Sequence, residues 1–521
     1  MQTHILIPVK RGIKLETRIM KLAFVGLLGA MALAFGAQPL HAQPFTVLHT
    51  FMPPSNTNLD GAGPAAELAL FGNTLYGASS GGANGSGTNN YGTIFSINTD
   101  GSGFTVLHTF SNVTYYVIGT NFLGLPQTIS VNSDGLMPRG NLILSGGTLY
   151  GAAGGGGANG SGTIFSMSTN GSNFTVLHAF ATNLPAGSVT FTNADGAMPN
   201  SLVLSGGTLY GTAEQGGTNG SGTVFSLSTN GESFSVLHTF KPADGQNPQS
   251  VLALSGNNLF GITALGGQAS GAAGSGTVYS LSTDGASFSV LHKFTSGANS
   301  TGGYLSGLLA VGGTLFGTTV NGATNETSAI FSINMNGSGY KEIFYFTTNL
   351  GGISPSGALL LSGDTLYGTT QQGGANGFGQ VYSVNTNGGS FTTMYSFTKP
   401  HAPTNTDGSA PRTGLILSGA NLLGTAYFGG NGNGTVFSLT VTPSVTNFHV
   451  AGTNLVFNGI NGLAGHAYTV LASSNLALPL NQWTPVATNV LPGGGNFSIT
   501  ASNAANPSAA QEFYILKTPA Q

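Results

Sequence analysis

One phrase recurs seven times along this chain, and that recurrence constrains the fold more than any other feature. Its fullest copy runs Phe174-Thr-Val-Leu-His-Ala-Phe180, then Asp195-Gly196-x-x-Pro199, then Leu202-x-Leu204-Ser-Gly-Gly-Thr-Leu-Tyr210-Gly211. It closes with Gly216-Gly217-x-Asn219-Gly-Ser-Gly222-Thr-Val-Phe225-Ser-Leu-Ser-Thr-Asn230-Gly231. The Phe-Thr-Val-Leu-His-Thr-Phe element starts at Phe45, Phe104, Phe174, Phe234, Phe288, Tyr340 and Phe391. The Thr-Leu-Tyr-Gly element ends at Gly77, Gly151, Gly211, Gly261, Gly317, Gly368 and Gly424. Copies lie about 50–75 residues apart.

Each copy reads as four strands. The Leu-x-Leu run is the first, and Ser-Gly-Gly turns it into Thr-Leu-Tyr-Gly-Thr. A loop rich in Gly and Asn leads to Gly-Thr-Val-Phe-Ser-Leu, and Thr-Asn-Gly turns that into the fourth strand. Asn, Asp and Gly tolerate the positive φ that tight hairpin turns demand. Alternating β-branched and aromatic residues favour strands over helices. Four antiparallel strands repeated seven times predict a seven-bladed β-propeller. A right-handed β-solenoid is the alternative, but its coils are shorter and its calcium-binding nonapeptide needs an Asp these loops lack.

The ends of the array predict closure. Residues 45–51 are a fourth strand without its first three, and the last unit, Leu415 to Leu439, lacks a fourth. Pairing the two closes the last blade and leaves no exposed sheet edge.

Composition agrees. Gly fills 84 of 521 positions and only 5% of residues are charged, which suits a chain of many turns with an apolar core. The glycines follow no three-residue period, so the chain is not collagen-like. Five of the twelve basic residues lie in the first 21 positions. Without residues 1–42 the chain keeps 7 basic and 14 acidic side chains, net near -7, a balance that repels nucleic acid. There is no Cys, hence no disulfide, thiolate metal site or Cys nucleophile.

Residues 1–42 read as a secretory signal peptide. Lys10, Arg11, Lys14, Arg18 and Lys21 precede an apolar run from Leu22 to Phe35, and Ala42 ends a small-residue exit before Gln43. A membrane anchor is the alternative, but fourteen apolar residues fall short of the ~20 needed to span a bilayer. Met20-Lys21 would itself make an ordinary start. No later segment is long and apolar enough to be a membrane-spanning helix.

The whole unit resembles the GloVer tandem repeat, named for Gloeobacter-type cyanobacteria and Verrucomicrobia, over about residues 45–440. Members of that family are described as choice-of-anchor proteins, with shared repeats and a variable C-terminal anchor. The resemblance implies export and surface display in a bacterium, and no defined catalytic activity. Two units depart from the pattern. In the fifth, Ala329-Ile-Phe replaces Gly-Thr-Val-Phe, and the Asp-Gly step is missing from both the fifth and the sixth.

After the propeller at 43–441, residues 442–447 read as a linker containing Pro443. Residues 448–521 read as a small β-sandwich-like module, resembling immunoglobulin-like or fibronectin-like C-terminal modules of secreted bacterial proteins. Its strands are expected near Asn454–Phe457, Ala467–Ala472, Trp483–Ala487, Asn496–Thr500 and Glu512–Leu516.

Strand parity gathers every long loop on one face, including the insertions Ser111–Ser133 and Ala181–Ala194. Loops on a rigid scaffold are where binding resides, so this face is the expected functional one. Tyr115, Tyr116 and Phe122, in the first insertion, are candidate ligand-binding residues that would stack on sugar rings; the alternative is a small satellite core. His49, His108, His178, His238 and His292 sit on different outer strands, too dispersed for metal ligation, and are expected to make hydrogen bonds within each blade. Asp60, Asp134, Asp195, Asp244 and Asp407 are read as turn formers, with an isolated calcium role as the alternative.

No local carboxylate pair, phosphate loop or nucleophile elbow stands out, so no catalytic residue, cofactor or metal is assigned. The expected function is that of an exported, non-enzymatic repeat protein of the bacterial surface, for display or for binding polysaccharide or cell-surface components. The alternatives are a carbohydrate-active hydrolase or lyase with a propeller site, and a structural surface-layer component.

Overall fold

The computed structural model describes residues 7–9, 43–52, 60–81, 91–120, 126–182, 184–186, 190–267, 276–294, 307–320, 328–346, 353–399, 406–463, 465–475, 477–491, 495–504 and 512–517. The signal-peptide segment falls almost wholly outside them, as does Phe122. The described residues contain strands and one short 3-10 turn, and none of their helices is long and apolar enough to cross a membrane.

Each repeat folds as an antiparallel sheet in sequence order. In the third, Ala197–Ser205, Thr208–Gln215, Thr223–Ser228 and Phe234–Thr239 pair in turn, with Val203 opposite Tyr210, Tyr210 opposite Ser226, and Thr223 opposite Thr239. Seven sheets of this kind follow one another. The seventh takes its outer strand from the start of the array: Phe45–Thr50 pairs with Thr435–Thr440, Phe45 opposite Leu439 and Thr50 opposite Thr435. The innermost strands of the first two sheets also touch, in parallel, at Ala66–Gly140 and Glu67–Asn141.

The core lies between sheets. One apolar cluster joins Tyr150, Ile164 and Phe180 of the second sheet to Leu202, Leu209 and Phe225 of the third, all buried. Burying a side chain of this size is worth about 1.5–3 kcal/mol. The Thr-Leu-Tyr-Gly glycine has a steric reason: a Cβ on Gly211 would lie 2.5 Å from Cζ of Phe225, so the ring fills the place of a side chain.

An aromatic stack fastens each seam. His49 stacks on Phe104 at 3.6 Å, and His108, His178 and His238 stack on Phe174, Phe234 and Phe288 at 3.8 Å. His292–Tyr340 at 3.8 Å, Phe344–Phe391 at 4.4 Å and Tyr395–Phe45 at 3.9 Å complete a circuit of seven among the described residues. A succession of such sheets closed end to end is a β-propeller.

The histidines correct one expectation. Their hydrogen bonds do not stay within a blade but reach the Asp that opens the next. His49 Nε2 meets Asp60 at 3.1 Å, His108 meets Asp134 at 3.0 Å and His178 meets Asp195 at 2.9 Å. The same carboxylates accept the backbone N–H groups of Met52, Ser111 and Ala181, while the Asp carbonyls accept Thr93, Thr163 and Thr223 hydroxyls of the next sheet. Each Asp is therefore a cross-seam clasp.

The second compact unit, 440–521 with 1–44 and 362–365, has its own core. Ser444–Ala451, Asn454–Gly462 and Gly495–Ala501 form one sheet, and Ile7–Val9, Glu512–Lys517, Ala467–Ser473 and Thr484–Val490 another. Phe457 and Ile499 of the first share an apolar cluster with Tyr468, Val470 and Leu516 of the second. The strand Ser444–Ala451 begins inside the segment read as a linker, because Val445 and Phe448 pack against this cluster.

Candidate functional site

The Asp-Gly-x-x-Pro step builds the site. Gly196 has φ +110°, and a Cβ there would lie 2.6 Å from both Ala213 Cβ and Thr223 Oγ1, so only glycine lets the chain turn inward. The residue before the proline is then left-handed in every described copy: Gly63, Met137, Met198, Asn247, Ser354 and Ala410 have φ between 51° and 60°. Its N–H donates to the preceding sheet, Met137 to Tyr91 O at 2.7 Å, Met198 to Ser161 O at 2.9 Å and Asn247 to Ser221 O at 3.0 Å. The proline packs on a glycine of that sheet; a Cβ on Gly222 would lie 2.5 Å from Cδ of Pro248. The next residue is thereby held at the rim of a central cavity of about 570 Å³. That volume is in the range of small-molecule pockets.

Six sheets contribute Ala65, Arg139, Asn200, Gln249, Ser356 and Arg412 at this post-proline position, and all line the cavity. Deeper, the residue before each buried inner-strand leucine forms a second tier. It is Glu67 in the first sheet, and Asn141, Ser201, Val251, Gly307, Ala358 and Gly414 in the others. A third set, three residues after the Thr-Leu-Tyr-Gly glycine, adds Ser80, Glu214, Gln371 and Tyr427. These positions are at the starts of first strands and the ends of second strands, so the rim belongs to the long-loop face.

Two hydrogen-bonded arcs run along the rim. Arg139 is 3.7 Å from Glu214, whose other oxygen accepts Gln249 Nε2 at 2.7 Å, and Asn200 donates to Gln249 O at 2.6 Å. On the other arc Gln371 donates to Ser356 Oγ at 3.1 Å, and Ser356 donates to Arg412 O at 2.8 Å. The Arg412 guanidinium lies 3.8 Å from the Tyr427 ring centroid and 5.2 Å from that of Phe428. Phe428 is 46% exposed.

Glu67 is the only charged residue of the deep tier. Its carboxylate fills the space of an absent side chain: a Cβ on Gly414 would lie 2.8 Å from its Oε1. The side chain keeps partial access to the cavity, but protein encloses it, and desolvation pushes its carboxyl up to about 7. Among the described residues no three His, Asp or Glu side chains converge as metal ligands.

The aromatic candidates lie elsewhere. Tyr115 and Tyr116 sit on a hairpin, Thr114–Thr120 against Pro126–Val131, and are 63% and 55% exposed rather than folded into a satellite core. Tyr115 makes a side-chain hydrogen bond with Tyr91, and neither tyrosine lines the cavity. The cavity residues were within the recurring phrase, one place after the proline, but they are spread over six units of the chain. The usable signal was a recurring proline followed by a residue that changes from copy to copy.

No curated protein matches the chain. Among solved structures it is similar to the WD40 β-propeller domain of Doa1, at 10% identity over 76% of this chain and 96% of that one, with a TM-score of 0.42. It is also similar to an oligogalacturonate lyase in complex with manganese (10% identity, 71% and 86%, TM-score 0.40) and to BamB from Moraxella catarrhalis (13% identity, 74% and 85%, TM-score 0.37). The β-propeller assignment stands on the sheet pairing and seams described above. The family model of the Gloeobacter/Verrucomicrobia repeat matches residues 184–309 and 268–476, together more than half of the chain. With that match and the recurring sheet unit, the chain belongs to the Gloeobacter/Verrucomicrobia repeat family.

Proposed function

We propose that this protein is an exported, non-enzymatic binding or display protein. Its propeller has seven blades, its C-terminal module is a β-sandwich, and its long-loop face takes a glycan of the surrounding polysaccharide or cell surface. The observation that carries this reading is the cavity rim. One backbone device, repeated, presents Ala65, Arg139, Asn200, Gln249, Ser356 and Arg412 to a common space. A varied set of polar side chains on a uniform rigid scaffold suits recognition of a polyhydroxylated ligand. Export rests on the apolar N-terminal run after a basic stretch. The exposed pair Tyr115 and Tyr116 offers a separate stacking surface on the same face.

A glycan array probed with the full chain, and with Asn200→Ala/Gln249→Ala, tests the seat. Selective binding lost in the double variant is the expected result, and no binding by folded protein would overturn it. Retention on polysaccharide columns after Tyr115→Ala/Tyr116→Ala tests the outer surface.

A hydrolase or lyase is the second reading, and Glu67 favours it, since a carboxyl near 7 can act as a general acid or base. Glu214, the other carboxylate lining the cavity among the described residues, is already engaged by Arg139 and Gln249. Release of new reducing ends or unsaturated products, abolished by Glu67→Gln, would establish this reading.

A further inference from the structure

The two arginines on the rim differ in one respect. Arg139 is compensated by Glu214, while Arg412 has no carboxylate within ion-pair distance among the described residues. Its guanidinium is positioned by the rings of Tyr427 and Phe428 instead. Tyr427 is itself braced: a Cβ on Gly63 would lie 2.8 Å from its Cζ, so the ring lies flush against bare backbone. Stacking holds the plane of a guanidinium and leaves its N–H fork for a planar anion.

The amides point to what else the ligand carries. Asn200, Gln249 and Gln371 spend N–H donors on protein acceptors, and no donor meets their carbonyl oxygens among the described residues. Free amide oxygens accept O–H groups, the donors a sugar offers most. Glu67 completes the constellation. Its carboxyl lies against Gly414, two residues along the chain from Arg412, yet forms no ion pair with it.

We infer that the ligand of this cavity is an acidic sugar whose carboxylate pairs with Arg412 and whose hydroxyls meet the amide oxygens, with Glu67 beneath it. The inference rests on the binding reading above and narrows it to uronate-bearing oligosaccharides. A carboxylate and a guanidinium form two parallel charge-assisted hydrogen bonds, which a neutral sugar cannot match. Glu67 then sets the pH at which the seat accepts an anion. Protonated, it donates a hydrogen bond; ionised, it repels the incoming carboxylate. Among the described residues, the other titratable side chains lining the cavity are Arg139, Glu214, Arg412 and Tyr427, and Glu214 carries its own compensation. With the Glu67 carboxyl near 7, its protonated fraction falls about tenfold between pH 6 and pH 8.

The test is calorimetric titration of the full chain with oligomers of galacturonic, glucuronic and mannuronic acid, each beside its methyl ester. At pH 6 at least one acid form is expected to bind about tenfold or more tighter than its ester. Arg412→Gln should erase that preference and leave the ester within twofold, while Arg412→Lys should keep part of it. Affinity for the acid should fall about tenfold by pH 8 in the wild type, and stay level in Glu67→Gln. If acid and ester bind equally, or only esters and neutral glycans bind, the anionic ligand is overturned and the binding reading stands. If the Arg412 effect appears without pH dependence, the role given to Glu67 is overturned. If no oligosaccharide on this panel or the array binds folded protein, both fall. Should Arg412→Gln fail to fold, the acid–ester comparison on the wild type decides alone.

Discussion

The seams between sheets and the rim of the cavity are built by the same recurring phrase, yet they behave in opposite ways. At the seams the chain repeats itself: seven aromatic stacks lie between 3.6 and 4.4 Å, whatever the sheet. At the rim the backbone repeats and the side chain changes, from Ala65 to Arg139 to Asn200 to Gln249. Repetition marks what every sheet needs to stand beside its neighbour. Variation on a fixed backbone marks what the assembled ring presents.

The seams also differ among themselves. Those of His49, His108 and His178 add a hydrogen-bonded Asp, and Tyr395 reaches Asp407 at 2.7 Å. His238 stands 3.6 Å from Asp244, too far for a hydrogen bond, and its buried Nε2 has no hydrogen-bond partner among the described residues. Phe344 replaces His in the fifth unit and keeps the stack. The stack is thus the common fastener and the clasp an addition.

The largest break in this comparison is deletion of residues 43–52. It removes the outer strand of the seventh sheet, the Tyr395–Phe45 stack and buried Phe51, and should cost on the order of 5 kcal/mol or more. An unchanged denaturant melt would show that closure contributes nothing. Next comes Phe180→Ala, which empties a fully buried site in the cluster between the second and third sheets, at about 3–5 kcal/mol in the same melt.

Asp195→Ala should cost about 1–3 kcal/mol, because it strands His178 and the Ala181 N–H. Asp244→Ala should cost less, and equal losses would mean the clasp is not what distinguishes these seams. A smaller effect follows pH. Burial lowers the His238 and His292 imidazoles from the ordinary range. The unfolded chain therefore binds those protons first, so stability should fall as pH drops from about 6.5 toward the folded values. Replacing His292 with Phe, as Phe344 stands in the fifth unit, should flatten part of that slope in melts from pH 7.5 to 5. The smallest effect on stability belongs to the rim: Arg412→Gln should shift the melt by about 0.5 kcal/mol or less while changing ligand binding.

The strands were legible because their causes are local. Thr-Asn-Gly and Ser-Gly-Gly turns, period-two alternation and the unpaired ends of the array are all readable within one copy or from its two boundaries. The histidines were legible as structural, but not their partners. His178 lies 17 residues from Asp195, across a seam that exists only once two sheets are side by side. Tyr115 and Tyr116 stand out in the sequence within an irregular insertion, and the structure places them on an exposed hairpin that does not line the cavity. The cavity itself had no local signature. Glu67 and Gly414 meet across the closure of the whole array, and no window of sequence contains both.

The sequence by itself determined the repeating sheet, its turns and its membership in a repeat family, because hydrogen-bonded hairpins are decided by neighbouring residues. Only the tertiary structure decided which side chains face one another. Closing the array brings residues of every copy around one space, where burial pushes Glu67 up to about 7 and leaves Arg412 held by rings rather than by a carboxylate. Desolvation and charge pairing depend on distance in space, and that distance is set by the ring.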